Sequence, residues 1–297
     1  MCARIPAPAG VTEERVRVYT PRRPPIRDYV LPAALRRDLW PHRRLIWELS
    51  LRNTQQVFRG SWIGFFWTLL KPILLLSIYT FVFGVVFRAH WGSHASGSRF
   101  EFAVALFCGL VVFGVFAECA GAAPSLVLRQ AGYVKRVVFP LQILPLVTLG
   151  SVLTVSAFGF GILLTGVALL RGGLPATLVW LPLILLAVSL FALAAGWLLA
   201  AGGVFVRDLE QGTAIAVTIL YFATPIFYPL SAVPAPYRQI LSLNPLTLIV
   251  ESAREAVVWG RTPRWEELCL LTLGAAIAAL FGYAAFMKAR RGFADVL

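Results

Sequence analysis

Few side chains in this sequence have the type and spacing that catalysis or metal binding requires. His90 and His94 lie four residues apart in AHWGSH and would allow a shared metal ion, but no further ligand is close in sequence. The four cysteines form neither a CxxC pair nor a metal-binding pattern. The chain also lacks a GxxxxGK[ST] phosphate loop and the HExxH and GxSxG motifs. We therefore expect no catalytic residue, no metal ion, no cofactor and no ATP hydrolysis in this chain.

Ionisable residues within apolar stretches are the other candidates for chemistry. Lys71 and Glu118 are the two that stand well inside such stretches. A proton-coupled carrier needs ionisable groups near the middle of the membrane, and two isolated charges give thin support for one. Lys71 is close enough to a charged end to extend its amine to the interface. We favour a structural role near the interface for both residues.

The composition indicates a membrane protein. Of the 297 residues, 59% are hydrophobic and 14% are charged, and the mean hydropathy is +0.77. A soluble domain carries about a quarter charged residues, so this apolar surplus points to a lipid bilayer. The net charge of +13 is concentrated in the N-terminal segment and in short loops. This placement indicates contact with anionic lipid headgroups rather than with nucleic acid.

Six apolar stretches predict an all-α membrane protein with six transmembrane helices. They cover about residues 62–87, 102–124, 140–170, 175–204, 213–230 and 267–287. Lys and Arg are concentrated before the first stretch, between the second and third, and after the sixth. The positive-inside rule therefore predicts that both termini are cytoplasmic. The N-terminal residues lack the apolar core of a cleavable signal peptide.

The sequence before the first stretch divides into two segments. Residues 1–38, rich in Pro and Arg, predict a flexible basic cytoplasmic tail. Residues 39–60 predict an amphipathic helix at the membrane interface. Its polar face would carry Arg44, Glu48, Arg52, Gln55 and Arg59. A transmembrane domain would then occupy 61–290 and a cytoplasmic C-terminus 291–297.

The segment between the fifth and sixth stretches is too long for a turn and too polar for a span. An apolar stripe at helical spacing predicts a helix that begins with Asn244 as its cap and Pro245 as its first residue, and that ends near Gly260. Non-spanning backbone at membrane depth must be buried in protein or face a wet cavity. We therefore expect short re-entrant helices near a mouth or gate.

Two further features allow more than one interpretation. The basic loop RQAGYVKRVVFP at 129–140 would either seat in a groove of a soluble cytoplasmic partner or simply set the topology. The aromatic residues of the first and fifth stretches would stack on sugar rings if they faced a channel. Belts at the two membrane interfaces, or core packing, would explain them equally well.

Five segments, in this order, resemble signatures of the ABC-2 type permeases that export O-antigen, capsule and teichoic acid. They are residues 59–87, 131–146, 207–234, 244–260 and 290–297, within a similarity that covers roughly 43–297. The resemblance implies a homodimer with a pore between its two copies. It also implies one cytoplasmic ATPase subunit docked to each copy, with ATP and Mg bound by that subunit. The cargo would be a lipid-linked polysaccharide that crosses the bacterial inner membrane outward.

The resemblance implies roles for three sets of residues. ATPase docking would involve Arg52, Arg59, Arg129, Tyr133, Lys135 and Arg136. The substrate channel would be lined by Trp62, Trp67, Tyr79, Phe83, Tyr221, Phe222, Phe227 and Tyr228. The outer gate would include Tyr237, Asn244, Pro245 and Glu251.

Several alternatives stay open. The wording VVFPLQILPL at 137–146 resembles Gram-negative members, which favours O-antigen or capsule over teichoic acid or galactan. An ABC-2 permease for a drug or a small lipid would share the fold. A secondary transporter would need ion-coupling groups. A membrane glycosyltransferase needs clustered carboxylates and often a metal, and the acidic residues of the tail form no such pattern.

Overall fold

The regular secondary structure is entirely helical throughout the described residues, 32–58, 64–86, 99–130 and 139–296 of the computed structural model. The helices are α1 Pro32–Leu39, α2 Arg43–Phe58, α3 Gly64–Tyr79, α4 Arg99–Ala122, α5 Leu144–Arg171, α6 Leu181–Phe205, α7 Leu209–Ala223, α8 Ala235–Ser242, α9 Pro245–Ala253, α10 Trp265–Ala289 and α11 Phe293–Val296. Wider helical turns continue α3 through Thr80–Val86 and α9 through Arg254–Val258. The all-α prediction is therefore confirmed for these residues.

Four helical segments in the described part of the chain are long and apolar enough to cross a membrane. They are Phe100–Ser125, Leu141–Arg171, Ala176–Phe205 and Trp265–Gly292. These segments coincide with the second, third, fourth and sixth apolar stretches of the sequence. Shorter apolar helices, Pro72–Val82 and Leu209–Ala223, occupy the first and fifth stretches. Four of the six expected spans thus have the length that a bilayer requires.

The fifth stretch is shorter than the sequence analysis predicts. The expected span continued to about residue 230, but α7 ends at Ala223 and Thr224 is extended, with φ −94° and ψ 132°. Pro225 explains this end, because proline disfavours helical geometry in the residue before it and has no N–H to donate. The 15 residues of α7 extend about 22 Å, which is less than the thickness of about 30 Å of a bilayer core.

The predicted interface helix at 39–60 corresponds to α2, Arg43–Phe58, and a further helix precedes it. Helix α1 begins at Pro32, inside the segment predicted as a flexible tail, and a tight turn at Trp40–His42 separates it from α2. Pro41 accounts for the break, because its ring and missing N–H are incompatible with a helix interior. Of the residues predicted on the polar face, Arg44, Glu48, Arg52 and Gln55 are exposed, and Arg59 lies outside the described residues.

Helix α2 packs on α5 through small polar side chains. Ser50 Oγ lies 3.2 Å from the carbonyl oxygen of Val147, and Thr54 Oγ1 lies 3.2 Å from Ser151 Oγ. Both side chains are buried. A Cβ atom at Gly150 would stand 2.5 Å from Ser50 Oγ, so the glycine permits this close approach. The contact fixes the predicted interface helix against a predicted membrane span.

A polar network joins α1, α6, α10 and the turn before α5 at the predicted cytoplasmic end. Trp197 Nε1 donates to the carbonyl oxygen of Gln142 at 3.0 Å, and Arg290 Nη1 donates to Gln142 Oε1 at 2.8 Å. The Tyr283 hydroxyl donates to Asp38 Oδ2 at 3.0 Å. The rings of Trp197 and Tyr283 meet edge to face, with centroids 5.4 Å apart. These hydrogen bonds satisfy buried polar groups, which would otherwise destabilise the folded protein.

Candidate functional site

Four aromatic residues predicted to line a channel come together between α3 and α7. Phe227 lies at the centre, with ring centroids 5.1 Å from Tyr79, 5.1 Å from Tyr221 and 5.6 Å from Phe222. Offset and edge-to-face arrangements at these separations are favourable because the positive edge of one ring meets the negative face of another. We call Tyr79, Tyr221, Phe222 and Phe227 the aromatic cluster.

The aromatic cluster has a buried base and an exposed rim. Phe227 is 3% exposed, whereas Phe222 is 59% exposed. Phe113 of α4, which is fully buried, adds a ring 5.3 Å from Tyr221. Sequence analysis missed Phe113, because it stands in a continuous apolar run with nothing to distinguish it from core. The buried rings of Phe113 and Phe227 therefore hold the cluster in place, while the ring of Phe222 is accessible at the surface.

Tyr228, also predicted in the channel, makes a different contact from the four residues of the aromatic cluster. Its hydroxyl donates a 2.8 Å hydrogen bond to the carbonyl oxygen of Phe222, one of the carbonyls left unpaired where α7 ends. Tyr228 therefore supports the end of α7 and the backbone beneath the exposed Phe222 ring.

Trp62 lies outside the described residues, as do the side chains of Trp67 and Phe83.

The predicted docking residues are only partly described. Arg59, Tyr133, Lys135 and Arg136 lie outside the described residues. Arg52 is exposed on α2. Arg129 Nη2 lies 3.9 Å from Glu210 Oε1, and both side chains are largely exposed. This long, solvated ion pair links the segment after α4 to the first turn of α7, and pairs of this kind contribute about 0–1 kcal/mol to stability.

Asn244 begins α9 as the sequence predicts. Its Oδ1 accepts a 3.0 Å hydrogen bond from the backbone N–H of Leu246, and Pro245 is the first helical residue. Gly260 follows the helical segment with φ +58°, which confirms the predicted end. The Asn244 side chain also donates from Nδ2 to Thr224 Oγ1 at 3.0 Å. Asn244 therefore ties α9 to the residue that ends α7.

Helix α8 is attached differently. Its residue Tyr237, predicted in the outer gate, is exposed. Arg238 Nη2 donates to the carbonyl oxygens of Ser231 and Val233, at 2.9 and 3.0 Å. These bonds hold α8 to the chain immediately before it. The structure thus separates Tyr237 from Asn244, Pro245 and Glu251, which belong to α9 and its cap.

Arg254 is the functional candidate that sequence analysis missed. The residue is completely buried. Its Nε donates to the carbonyl oxygen of Ala105 in α4 at 3.0 Å, and its Nη2 donates to that of Ile226 at 2.8 Å. Its Nη1 donates to the carbonyl oxygen of Pro225 and to Glu251 Oε1, both at 2.6 Å. One guanidinium therefore joins α4, α9 and the non-helical segment 224–229.

The surroundings of Arg254 fit a charged, planar side chain. A Cβ atom at Gly109 would stand 2.7 Å from Arg254 Nη2, so α4 leaves space for the guanidinium by having glycine there. Glu251, predicted in the outer gate, supplies the opposite charge three residues earlier and is partly exposed. Removing one partner of a buried pair costs about 3–5 kcal/mol, because the other charge is left unpaired. The sequence signal was a Glu–Arg pair at i,i+3 in a largely apolar helix.

An apolar cavity of about 510 Å³ lies apart from these residues, between α3, α4 and α5. Leu76, Phe107 and Phe158 are among its lining residues, and none of the predicted channel residues whose side chains the structure describes lines it. Among the residues that the structure describes, no group of three or more His, Cys, Asp or Glu side chains is placed to hold a metal ion. His90 and His94 lie outside those residues.

The chain is similar to a known family and to several characterised proteins. The family model described as ABC-2 type transporter matches residues 44–258. The O-antigen export system permease protein RfbA of Myxococcus xanthus is 29% identical over 265 residues, which cover 87% of this chain and 97% of that protein. A protein of the same name from Klebsiella pneumoniae is 26% identical, over 81% of this chain and 90% of that protein. The polysialic acid transport protein KpsM of Escherichia coli is 25% identical, over 80% of this chain and 90% of that protein.

These relatives match this chain over nearly their whole length. The family match begins in α2 and ends with the continuation of α9. It includes the aromatic cluster, Arg254, three whole segments that carried the resemblance in the sequence, and residues 244–258 of a fourth. Because that match covers most of the chain, the protein belongs to the ABC-2 type transporter family.

Proposed function

We propose that this chain is the membrane-spanning permease subunit of an ATP-driven exporter that moves lipid-linked polysaccharide, of O-antigen or capsule type, across the bacterial inner membrane. The convergence of Tyr79, Tyr221 and Phe222 around Phe227, in a chain of this family, carries the proposal. Exposed rings offer sliding, low-specificity contacts to the apolar faces of successive sugars. The relatives named for O-antigen export and polysialic acid transport support a polysaccharide as the cargo.

The proposed passage lies between two copies of the chain. Helix α7 is exposed on most of its circumference, with Ile215, Ile219 and Phe222 outward and only Thr213 buried. Helix α3 also exposes apolar side chains, including Ile78. A second copy would cover part of these faces and would place two aromatic clusters around a shared path. The rest of both faces would contact lipid.

Six spans per copy with both termini in the cytoplasm complete this arrangement. The 16 residues of α3 and the 7 of its continuation would extend about 34 Å at 1.5 Å per residue, enough for the first span. The fifth span would combine α7 with the non-helical residues 224–229. Such backbone is tolerated at membrane depth where protein or a wet cavity surrounds it. The hydrogen bonds from Arg254 to Pro225 and Ile226 supply that protein environment.

The energy would come from a separate cytoplasmic ATPase that binds ATP and Mg. This chain would respond through contacts that differ between two states of the complex. Arg52 and the loop at 129–137 would form the docking surface. The packing of Ser50 and Thr54 on α5 would transmit movement of α2 to the spans, and the Arg129–Glu210 contact would connect the loop with α7. Arginines near the inner mouth would attract the diphosphate of the lipid carrier.

Depletion of this chain in its native cell tests the proposal. Mass spectrometry of the glycolipids should then show that a lipid-linked polysaccharide accumulates. Re-expression of the full chain should clear it. An unchanged glycolipid profile, together with retention of a drug or a small lipid, would instead identify a different cargo. Accumulation of a teichoic acid or galactan precursor would keep the permease role and correct the glycan.

A further inference from the structure

The two ends of α9 are tied to the same short segment of the chain. At its start, Asn244 Nδ2 donates to Thr224 Oγ1. Just beyond its last residue, Arg254 donates to the carbonyl oxygens of Pro225 and Ile226 and, through Nε, to Ala105 of α4. Thr224, Ile226 and Arg254 are all completely buried. The helix is therefore fastened at both ends, on the side where α7 has already ended.

Helix α8 has no comparable attachment in the described structure. The side-chain hydrogen bonds observed for α8 stay within residues 231–242, through Arg238 and Ser242. Its apolar residues at helical spacing point away from the described chain: Tyr237 is 63% exposed, Ile240 64% and, just after the helix, Leu243 82%. The two short helices of the proposed outer gate thus differ in how firmly they are held.

We propose that Arg254 is a positioning residue that fastens α9, α4 and residues 224–229 into one stationary unit, so that α8 alone opens the outer mouth. The inference rests on the proposed function, because it divides the proposed gate into a fixed part and a moving part. Arg254 acts through the backbone that it holds and does not itself contact the cargo.

The chemistry of the guanidinium supports this division. Displacing α9 from α4 would take the buried guanidinium away from the carbonyl oxygens of Ala105, Pro225 and Ile226, in fully buried surroundings where their loss is costly. Displacing α8 would break one described hydrogen bond to the start of α9, from the Asn244 N–H to the carbonyl oxygen of Leu241 at 3.2 Å, and none of the described hydrogen bonds to α4 or the α7 terminus. A lysine at 254 would keep the charge but present one ammonium, which lacks the planar set of donors that reaches several acceptors at once.

Two pairs of variants isolate the proposed role. Arg254→Lys keeps the charge but loses the planar donors, and Arg264→Gln is its control, because Arg264 pairs with Glu267 at i,i+3 and 2.8 Å but is exposed. Gly109→Ala keeps the arginine at position 254 but places a methyl group against its Nη2 atom. Gly114→Ala, in the same helix, is its control, since a Cβ atom there meets nothing within 4 Å.

The full-length protein in liposomes, without nucleotide, gives two measurements. The first is hydrogen exchange of backbone amides by mass spectrometry. In the unmodified protein, amides of α8 should exchange at least tenfold faster than those of α9. In Arg254→Lys and Gly109→Ala, the amides of α9 should accelerate about tenfold, while α6 and α10 and both control variants stay unchanged. The comparison of α8 with α9 needs no variant, so poor folding of Arg254→Lys would leave the proposal testable.

The second measurement is leakage of a small trapped fluorophore. Arg254→Lys and Gly109→Ala should leak several-fold faster than the unmodified protein, and Arg264→Gln and Gly114→Ala should not. Equal exchange rates in α8 and α9, or variants whose α9 exchange and leakage both stay unchanged, would overturn the proposal. Faster α9 exchange without leakage would overturn its assignment to the gate. Neither measurement uses a glycan or ATP, so a failed depletion experiment would overturn the proposed cargo and leave the role of Arg254 to be judged separately.

Discussion

The Tyr283 hydroxyl of α10 donates a 3.0 Å hydrogen bond to Asp38 at the end of α1, across 245 residues of sequence. The last long apolar helix thereby contacts the helix that precedes all the predicted spans. Tyr283 is fully buried, and its ring also packs against Trp197 of α6. The bond therefore anchors the N-terminal helices to the helical bundle at the predicted cytoplasmic end.

Tyr283→Phe should destabilise the protein through this one hydrogen bond. The substitution keeps the ring packing but removes the donor to Asp38 Oδ2, so the largely buried carboxylate retains the long 3.4 Å contact from Arg37 Nε, and the lost hydrogen bond costs about 1–3 kcal/mol. Thermal unfolding in detergent should show a lower midpoint. Tyr237→Phe is the matched control, because Tyr237 is exposed and its loss of a hydroxyl should leave the midpoint unchanged. Equal midpoints for the two variants would contradict the structural role of Tyr283.

Gly150→Ala should loosen α2 from α5. The new methyl group would stand 2.5 Å from Ser50 Oγ, and overpacking of this kind costs about 1–3 kcal/mol. Amides of α2 should exchange faster in this variant. Gly161→Ala in the same helix should have no effect, because a Cβ atom there meets nothing within 4 Å.

A double variant tests whether the effect of Gly150→Ala arises from its contact with the Ser50 hydroxyl. Ser50→Ala removes Oγ and leaves only Ser50 Cβ, at 3.0 Å from the new methyl group. The double variant Ser50→Ala, Gly150→Ala should therefore be less destabilised than the sum of the two single variants. Strict additivity in the unfolding free energies would show that the two residues act independently.

The sequence predicted those features of the fold that depend on local chemistry. Long apolar runs located four spans, and the Asn244–Pro245 pair located the start of α9, because a cap side chain and a proline at the first position act on neighbouring backbone. The end of α7 was misplaced, although Thr224-Pro225 carries the same kind of local signal as Pro229. The prediction followed the apolar run past Pro225 to about residue 230, so the signal of the earlier proline was overlooked.

The parts that sequence analysis missed depend on contacts distant in sequence. In its local sequence, Arg254 is one member of an ordinary i,i+3 pair. Its contacts with Ala105 and Pro225 form only in the folded protein. The structural role of Asp38 likewise depends on the hydrogen bond from Tyr283, which is distant in sequence. The aromatic cluster lies between these cases. Its members were predicted as a set, but their arrangement around Phe227 depends on how α3 and α7 pack.

Lys135→Glu combined with Arg136→Glu should weaken docking of the proposed ATPase. The loop at 129–137 is basic, so two reversed charges should repel an acidic groove of the partner and lower both co-purification and export. Arg261→Glu combined with Arg264→Glu reverses the same number of charges in the predicted outer segment and should change neither. Full export together with normal co-purification in the Lys135, Arg136 variant would refute the docking assignment.

Substitutions at Phe222 and Phe227 should distinguish the contribution of the aromatic cluster to transport from its contribution to stability. Phe227→Ala empties a buried site and should cost about 3–5 kcal/mol. Phe222→Leu keeps an apolar side chain at a position that is 59% exposed, so the unfolding free energy should change by less than about 0.5 kcal/mol.

Export should nevertheless fall several-fold in Phe222→Leu, because leucine has no ring face to stack on a sugar, and Phe222→Tyr should restore it. The measurement is the amount of surface polysaccharide at matched permease levels. Phe281→Leu on α10 is the control, since that ring is 65% exposed but lies outside the aromatic cluster. Equal export by Phe222→Leu and Phe281→Leu would show that the exposed ring faces lipid instead of the cargo, and the proposed path along α7 would then be wrong.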